Sequence, residues 1–296
     1  MDQLELADTF DRDRRRLLLV AYRILGSVTE AEDAVQEAWL RLERTEAGAI
    51  ENLEHWLSTV VARICLNMLR DKRSRPEQPL EMFSPEPIVS TDAGGDPEHE
   101  ALLADSVGIA LQVVLEALAP AERLAFVLHD MFAVPFEEIA ALLERSPDAT
   151  RQLASRARRR VQGAAPLPDP DLARQRAVVD AYFAAARDGD LDALVAVLAP
   201  DVVARSHGRT GVFELRGAAK VARAAMAARA FAPFVCPALI NGTAGAVAFD
   251  GDVPFAILAY TVVDDRAVTI DIFNDRELVP RLVRSGKDFT PTKPSG

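Results

Sequence analysis

The chain has 296 residues, 49% of them hydrophobic and 27% charged, with a formal net charge of −11; such a length points to about two domains, and the composition excludes wholesale disorder. Residues 1–163 carry 19 basic against 29 acidic side chains, and residues 164–296 carry 15 against 16. The N-terminal half is therefore repelled by phosphate as a whole, except where its positive charge is gathered. Two distant cysteines, Cys65 and Cys236, form no CxxC pair and suggest neither a disulfide framework nor a zinc ribbon.

Residues 1–75 are helical in pattern. The apolar stretch Leu17–Tyr22 is too short for a signal-peptide core or a membrane span, so a cytoplasmic protein with no membrane partner is expected. Thr29 and Glu32 match a T-x-x-E capping box that opens a helix at Glu30. Its apolar residues Ala31, Ala34, Val35, Ala38, Trp39 and Leu42 fall on one face, and acidic residues lie elsewhere. A second helix, about 53–73, ends in a basic run: Arg63, Arg70, Lys72 and Arg73, then Arg75 beyond it, against Asp71 alone. Its C-terminal cations are also what the helix dipole favours, so the run alone does not establish a nucleic-acid contact.

Residues 76–97, rich in Pro and Gly, read as a linker. Residues 98–163 are again helical. Phe136, Ile139, Ala140 and Leu143 share one face of a short helix. Ser146 and Pro147 then suit the cap and first turn of another helix, 147–161. Two short helices joined by a turn of three or four residues predict a helix-turn-helix. The second helix carries Arg151, Gln152, Ser155, Arg156 and Arg159, types suited to phosphate and base-edge contacts in a major groove.

After a Pro-rich connector, residues 172–285 change to α+β order, and a polar tail follows over 286–296. Helices are expected over 173–187, 191–198 and 217–230, the first two separated by Gly189 as C-cap and Asp190 as N-cap. Strands are expected over 202–205, 212–215, 235–240, 245–249, 255–263 and 267–273. A curved sheet wrapped around helices leaves a conical pocket. His55, His99, His129 and His207 are scattered, and no GxxxxGK or GxGxxG occurs, so neither a metal nor a cofactor is expected.

The first two blocks resemble a bacterial sigma factor of the extracytoplasmic-function class. The run Thr29–Arg41 is similar to that class's polymerase-binding segment, and Trp56–Arg75 to its minus-ten reader. The stretch from Phe136 to Arg158 is similar to its minus-thirty-five helix-turn-helix. The resemblance implies that Asp33, Gln36, Glu37 and Arg41 face the β′ clamp helices of core RNA polymerase. It implies promoter contacts for Trp56, Arg63, Asn67, Arg70, Lys72 and Arg73, and upstream-element contacts for Arg151, Gln152, Ser155, Arg156 and Arg159. At Glu144 the class usually has glycine, and a less left-handed backbone is expected there.

The third block resembles the SnoaL-like, nuclear-transport-factor-2-like fold through 188–194, 198–203 and the helix after Gly217. A subgroup of the class carries this extension, which modulates the sigma domains by intramolecular contact in place of a separate anti-sigma protein. The subgroup's Asp-Gly-Gly-Gly run is replaced here by Ser206–Thr210, and its Asn-Pro-Asp-Lys-Leu motif by Asn274–Leu278. Its linker Pro-Glu-Pro stands at Pro85–Pro87. Asp201, His207, Asp271, Asn274 and Leu278 are the candidate pocket or regulatory residues. The fold class expected is two all-α sigma domains followed by an α+β SnoaL-like domain, without catalysis. The alternatives are a one-component ligand-sensing regulator and a cyclase or isomerase using Asp201, His207 or Asp271 as general base.

Overall fold

The computed structural model describes residues 3–45, 50, 52–74, 85–90, 108–164, 166–209 and 211–283. Arg75, His99, most of the linker and the 286–296 tail lie outside the described residues. The chain divides into two compact units: Met1–Leu80 with Gln112–Ala164, and Glu81–Leu111 with Ala165–Gly296.

In the first unit, α1 (Gln3–Leu25), α2 (Val28–Glu43) and α3 (Leu53–Ser74) pack together around Leu17, Tyr22, Ala34, Leu42, Leu57 and Cys65. Burial pushes the Cys65 thiol up, as suits an inert core side chain. The cap of α2 is Ser27, whose hydroxyl accepts from the Glu30 N–H at 3.3 Å. The expected Thr29 box is thus displaced by two residues. Gly26, at φ +78°, ends α1 and turns the chain into α2.

Next come α4 (Gly108–Glu116), α5 (Pro120–Phe126), a π-helical turn (Val127–Met131), α6 (Phe136–Leu143) and α7 (Pro147–Ala164). The helix-turn-helix is α6 and α7. Ser146 Oγ accepts from the Ala149 N–H at 3.2 Å. Glu144 is fully left-handed at φ 54°, ψ 47°, against the expectation from its missing glycine. The tight turn requires that conformation whatever the side chain, at a cost of about 1 kcal/mol.

Side chains from α4 and α5 satisfy the open C-terminus of α1, whose last carbonyls have no partner within the helix. The Gln112 amide donates to the carbonyls of Tyr22 and Arg23, both at 3.3 Å. The Arg123 guanidinium donates to the Ile24 carbonyl at 2.8 Å and forks onto Glu116 at 2.8 and 3.0 Å. Arg123 is 3% exposed. Burial pushes the Glu116 carboxyl up, and the adjacent Arg123 charge pulls it back.

The second unit opens with a two-residue strand inside the expected linker, β1 (Val89–Ser90). Then follow α8 (Leu172–Asp188), α9 (Leu191–Ala196), β2 (Leu198–Gly208), β3 (Gly211–Arg216), α10 (Ala218–Ala227), a 3₁₀ turn (Arg229–Phe234), β4 (Val235–Ile240), β5 (Thr243–Asp250), β6 (Val253–Val263), β7 (Arg266–Phe273) and α11 (Leu278–Val283). Gly189 and Asp190 cap α8 and α9 as expected. Leu198 opens β2 rather than closing α9, and α10 stops at Ala227.

The sheet order is β1-β4-β5-β6-β7-β2-β3, with β2 and β7 parallel and the other pairs antiparallel. Helices α8, α9 and α10 share an apolar core with one sheet face through Val179, Phe183, Leu194, Val221, Tyr260 and Ile270. This is the SnoaL-like architecture that the resemblance implies.

Strand β1 pairs Val89 with Ile240 and Ser90 with Leu239. The Asn241 side chain continues the ladder by accepting from the Ile88 N–H at 2.9 Å, while its own N–H donates to the Ile88 carbonyl at 2.8 Å. Asn241 and Gly242, at φ +50° and +75°, form the turn between β4 and β5. Asn241→Gly keeps that turn and removes the acceptor. It is expected to loosen the linker strand by about 1–3 kcal/mol, read as faster amide hydrogen exchange at Ile88 and Ser90.

Candidate polymerase and promoter interfaces

On α2, one face packs inward through Ala31, Ala34, Val35, Ala38 and Leu42. Asp33, Gln36, Glu37, Leu40 and Arg41 recur at helical spacing on another. Asp33, Gln36 and Leu40 are exposed and the remaining two half-buried. Glu37 Oε1 accepts from Arg41 Nε at 2.9 Å, a surface pair worth only a few tenths of a kcal/mol. The result is an ordered, mainly acidic face around one exposed leucine.

Trp56, Arg63, Asn67 and Arg70 recur at i, i+7, i+11 and i+14 on α3, so they share a face. The last three are exposed and Trp56 is half-buried. Lys72 stands apart: its ammonium meets Glu30 Oε2 at 2.5 Å, tying α3 to α2. Arg73 lies within α3, but its side chain is outside the described residues.

On α7, Leu153, Ala154 and Ala157 are buried and Arg151, Gln152, Ser155, Arg156 and Arg159 are exposed. Arg151 reaches Asp148 at 2.7 Å and Glu137 at 3.0 Å, and Arg156 approaches Glu122 at 3.4 Å. Arg158 and Arg160, off this face, pair with Asp130 and Glu122. The Arg151 pairs are exposed on both sides, hold the side chain only weakly and can be exchanged for phosphate, whereas the acidic partners of Arg156, Arg158 and Arg160 are largely buried.

The third domain brings some of its candidates together. His207 Nε2 lies 2.9 Å from Asp271 Oδ1, and the ring stacks on Phe273 at 4.6 Å. Arg205 approaches the same carboxylate at 3.5 Å and Glu214 at 3.3 Å. Asp271 is 0% exposed. Asp201 is exposed elsewhere on β2. The two altered regulatory motifs meet: Asn274 Nδ2 donates to Ser206 Oγ at 3.0 Å, and Arg209 pairs with Glu277 at 3.1 Å. Asp275 caps α11, accepting from the N–H groups of Glu277 and Leu278 at 2.8 and 3.0 Å.

The domain also holds a cavity of about 220 Å³ lined by residues including Tyr182, Phe183, Leu215, Leu258, Ile270 and Ile272. Ile270 and Ile272 flank Asp271, so strand alternation turns the carboxylate to the opposite face of the sheet. Asp271, His207 and the exposed Asp201 do not line this cavity, so of the two roles expected of them, pocket or regulatory, the pocket role does not hold.

Sigma-70 region 2 matches residues 9–75 and Sigma-70 region 4 matches 109–161. The chain is 42% identical over 284 residues to the ECF RNA polymerase sigma factor SigJ of Mycobacterium tuberculosis, covering 90% of each. The chain is an extracytoplasmic-function sigma factor. A further relative, the probable sigma factor SigI of M. tuberculosis, is 37% identical over 199 residues, covering 67% of this chain and 69% of SigI. The crystal structure of SigJ superimposes with a TM-score of 0.75 at 35% identity, covering 95% of this chain and 99% of that one. Likeness to SigJ thus extends through the third domain of this sigma factor. No helix among its described residues is long and apolar enough to cross a membrane.

The sequence reading missed two groups in this sigma factor. Gln112 and Arg123, which close the end of α1, carry no local signature because their partners lie about ninety residues or more away. Asn241, which holds the linker strand, did carry one: Asn-Gly between two β-runs is a strong hairpin signal.

Proposed function

We propose that the sigma factor docks Asp33, Gln36, Glu37 and Arg41 on the β′ clamp helices of core RNA polymerase. It reads the minus-ten element with Trp56, Arg63, Asn67, Arg70, Lys72 and Arg73, the lysine leaving Glu30 to do so. Arg151, Gln152, Ser155, Arg156 and Arg159 read the minus-thirty-five element. The third domain, by intramolecular contact, restrains this activity in the cytoplasm in place of a separate anti-sigma protein.

Size supports restraint. By their names the two elements lie about 25 base pairs apart, roughly 80 Å of B-form DNA at about 3.4 Å per pair. A compact unit of about 130 residues is only roughly 35–40 Å across. Regions 2 and 4, joined in one unit by Arg123 and Gln112, must separate to read both elements.

The observation that carries the regulatory reading is β1. The segment linking regions 2 and 4 is held as a strand on the third domain's sheet, so that domain controls how far the linker can pay out. Asn241→Gly should free the linker and tighten core-polymerase binding several-fold. Unchanged or weaker binding, measured by fluorescence anisotropy, would refute restraint through the linker. The isomerase alternative finds none of its three candidate bases on the cavity lining: Asp271 and His207 bond to one another on the sheet face turned from it, and Asp201 is exposed to solvent outside it.

A further inference from the structure

The cavity of the third domain is built by omission. Its lining includes Ala186, Ala204, Ala224, Ala225, Ala248 and Ala256, drawn from three strands and two helices, where larger side chains would fill the space. An apolar void forfeits packing contacts. Two lining aromatics, Phe213 and Phe231, stand 65% and 48% exposed, an arrangement typical of apolar surface that a ligand covers.

The lining also selects by charge. Arg205 directs its guanidinium to Glu214 and Asp271, and Asp271 faces the other side of the sheet. Ser206 is engaged by Asn274. Burial pushes the Tyr182 hydroxyl up to about 12, so at neutral pH it is an uncharged handle. A charged ligand would lose hydration without finding a counter-ion. For scale, an apolar cavity of about 150 Å³ takes benzene, so 220 Å³ suits about two fused or linked small rings.

We propose that this cavity is a binding site for a neutral, hydrophobic small molecule of about two rings, entering past Phe213 and Phe231. The site stands independently of restraint through the linker, because it can be measured without polymerase.

The test is a titration of the full chain with 6-propionyl-2-dimethylaminonaphthalene, a neutral probe of two fused rings that brightens in apolar surroundings. Saturable one-to-one binding in the micromolar range is expected, displaced by 2-naphthol but not by equal concentrations of 2-naphthoate. Ala225→Trp should fill the cavity and weaken the probe at least tenfold without lowering the melting temperature. Ala256→Leu, a smaller filling change, gives the same reading if the tryptophan disturbs folding. Absence of saturable binding, or an affinity equal to the parent's in both filled variants, would overturn the proposal. So would binding that appears only after removal of residues 284–296, which would make the chain's own tail the occupant.

Discussion

Replacing Arg123 by methionine is expected to destabilise the sigma-domain unit by about 3–5 kcal/mol, the usual cost of removing one partner from a buried ion pair. Glu116 then keeps a buried charge without its cation, and the carbonyls of Ile24 and Glu116 lose their donor. The pH dependence has a definite sign. Burial already holds the Glu116 carboxyl above its ordinary value, and Arg123 is the largest influence opposing that shift. Without Arg123 the folded-state value rises further, so the folded state takes up its proton before the unfolded chain does as pH falls. The variant's deficit is fully present above that raised value and is relieved on acidification towards the ordinary carboxylate range. Thermal unfolding of Arg123→Met between pH 5 and pH 8 checks this: the deficit should be larger at pH 8. Adding Glu116→Leu should recover much of the stability and flatten the pH dependence.

Gly245→Val should cost about 3 kcal/mol or more, at the upper end of overpacking. A Cβ on Gly245 would stand 2.4 Å from Ile240 Cγ1 and 2.6 Å from the Leu258 carbonyl oxygen. The second contact is backbone and cannot rotate away. Ile240 is the residue on which Val89 is registered, so the change should also release the linker strand. Urea unfolding measures the first effect, and hydrogen exchange at Ile88 and Ser90 the second. A variant as stable as the parent, with the linker still protected, would show that β4 and β6 can part at no cost.

Much of the helical half was legible because its signals are local. Phe136, Ile139, Ala140 and Leu143 repeat at helical spacing, and Ser146-Pro147 marks the next start. In the third domain, β4 runs over the expected 235–240, and the remaining expected strands needed only extension at their ends. What escaped depended on distant partners. Ser27-x-x-Glu30 and Thr29-x-x-Glu32 both fit a capping box, and Ser27 proved to be the cap where Gly26 turns the chain at φ +78°. Strand β1 is two residues beside a Pro-Glu-Pro run, too short for periodicity, and exists because the β4 edge and Asn241 receive it. His207 and Asp271, 64 residues apart, meet through the parallel pairing of β2 with β7. That register also sets which sheet face they occupy, which their residue types could not reveal.

The acidic face of α2 carries the central claim, and binding of the full chain to purified bacterial core polymerase tests it most directly. The parent should bind saturably. The double variant Asp33→Arg, Glu37→Arg should lose at least tenfold in affinity, while Asp192→Arg, an exposed charge reversal on α9, should bind like the parent. Equal binding by the double variant and the parent would contradict the assignment of that face to core polymerase.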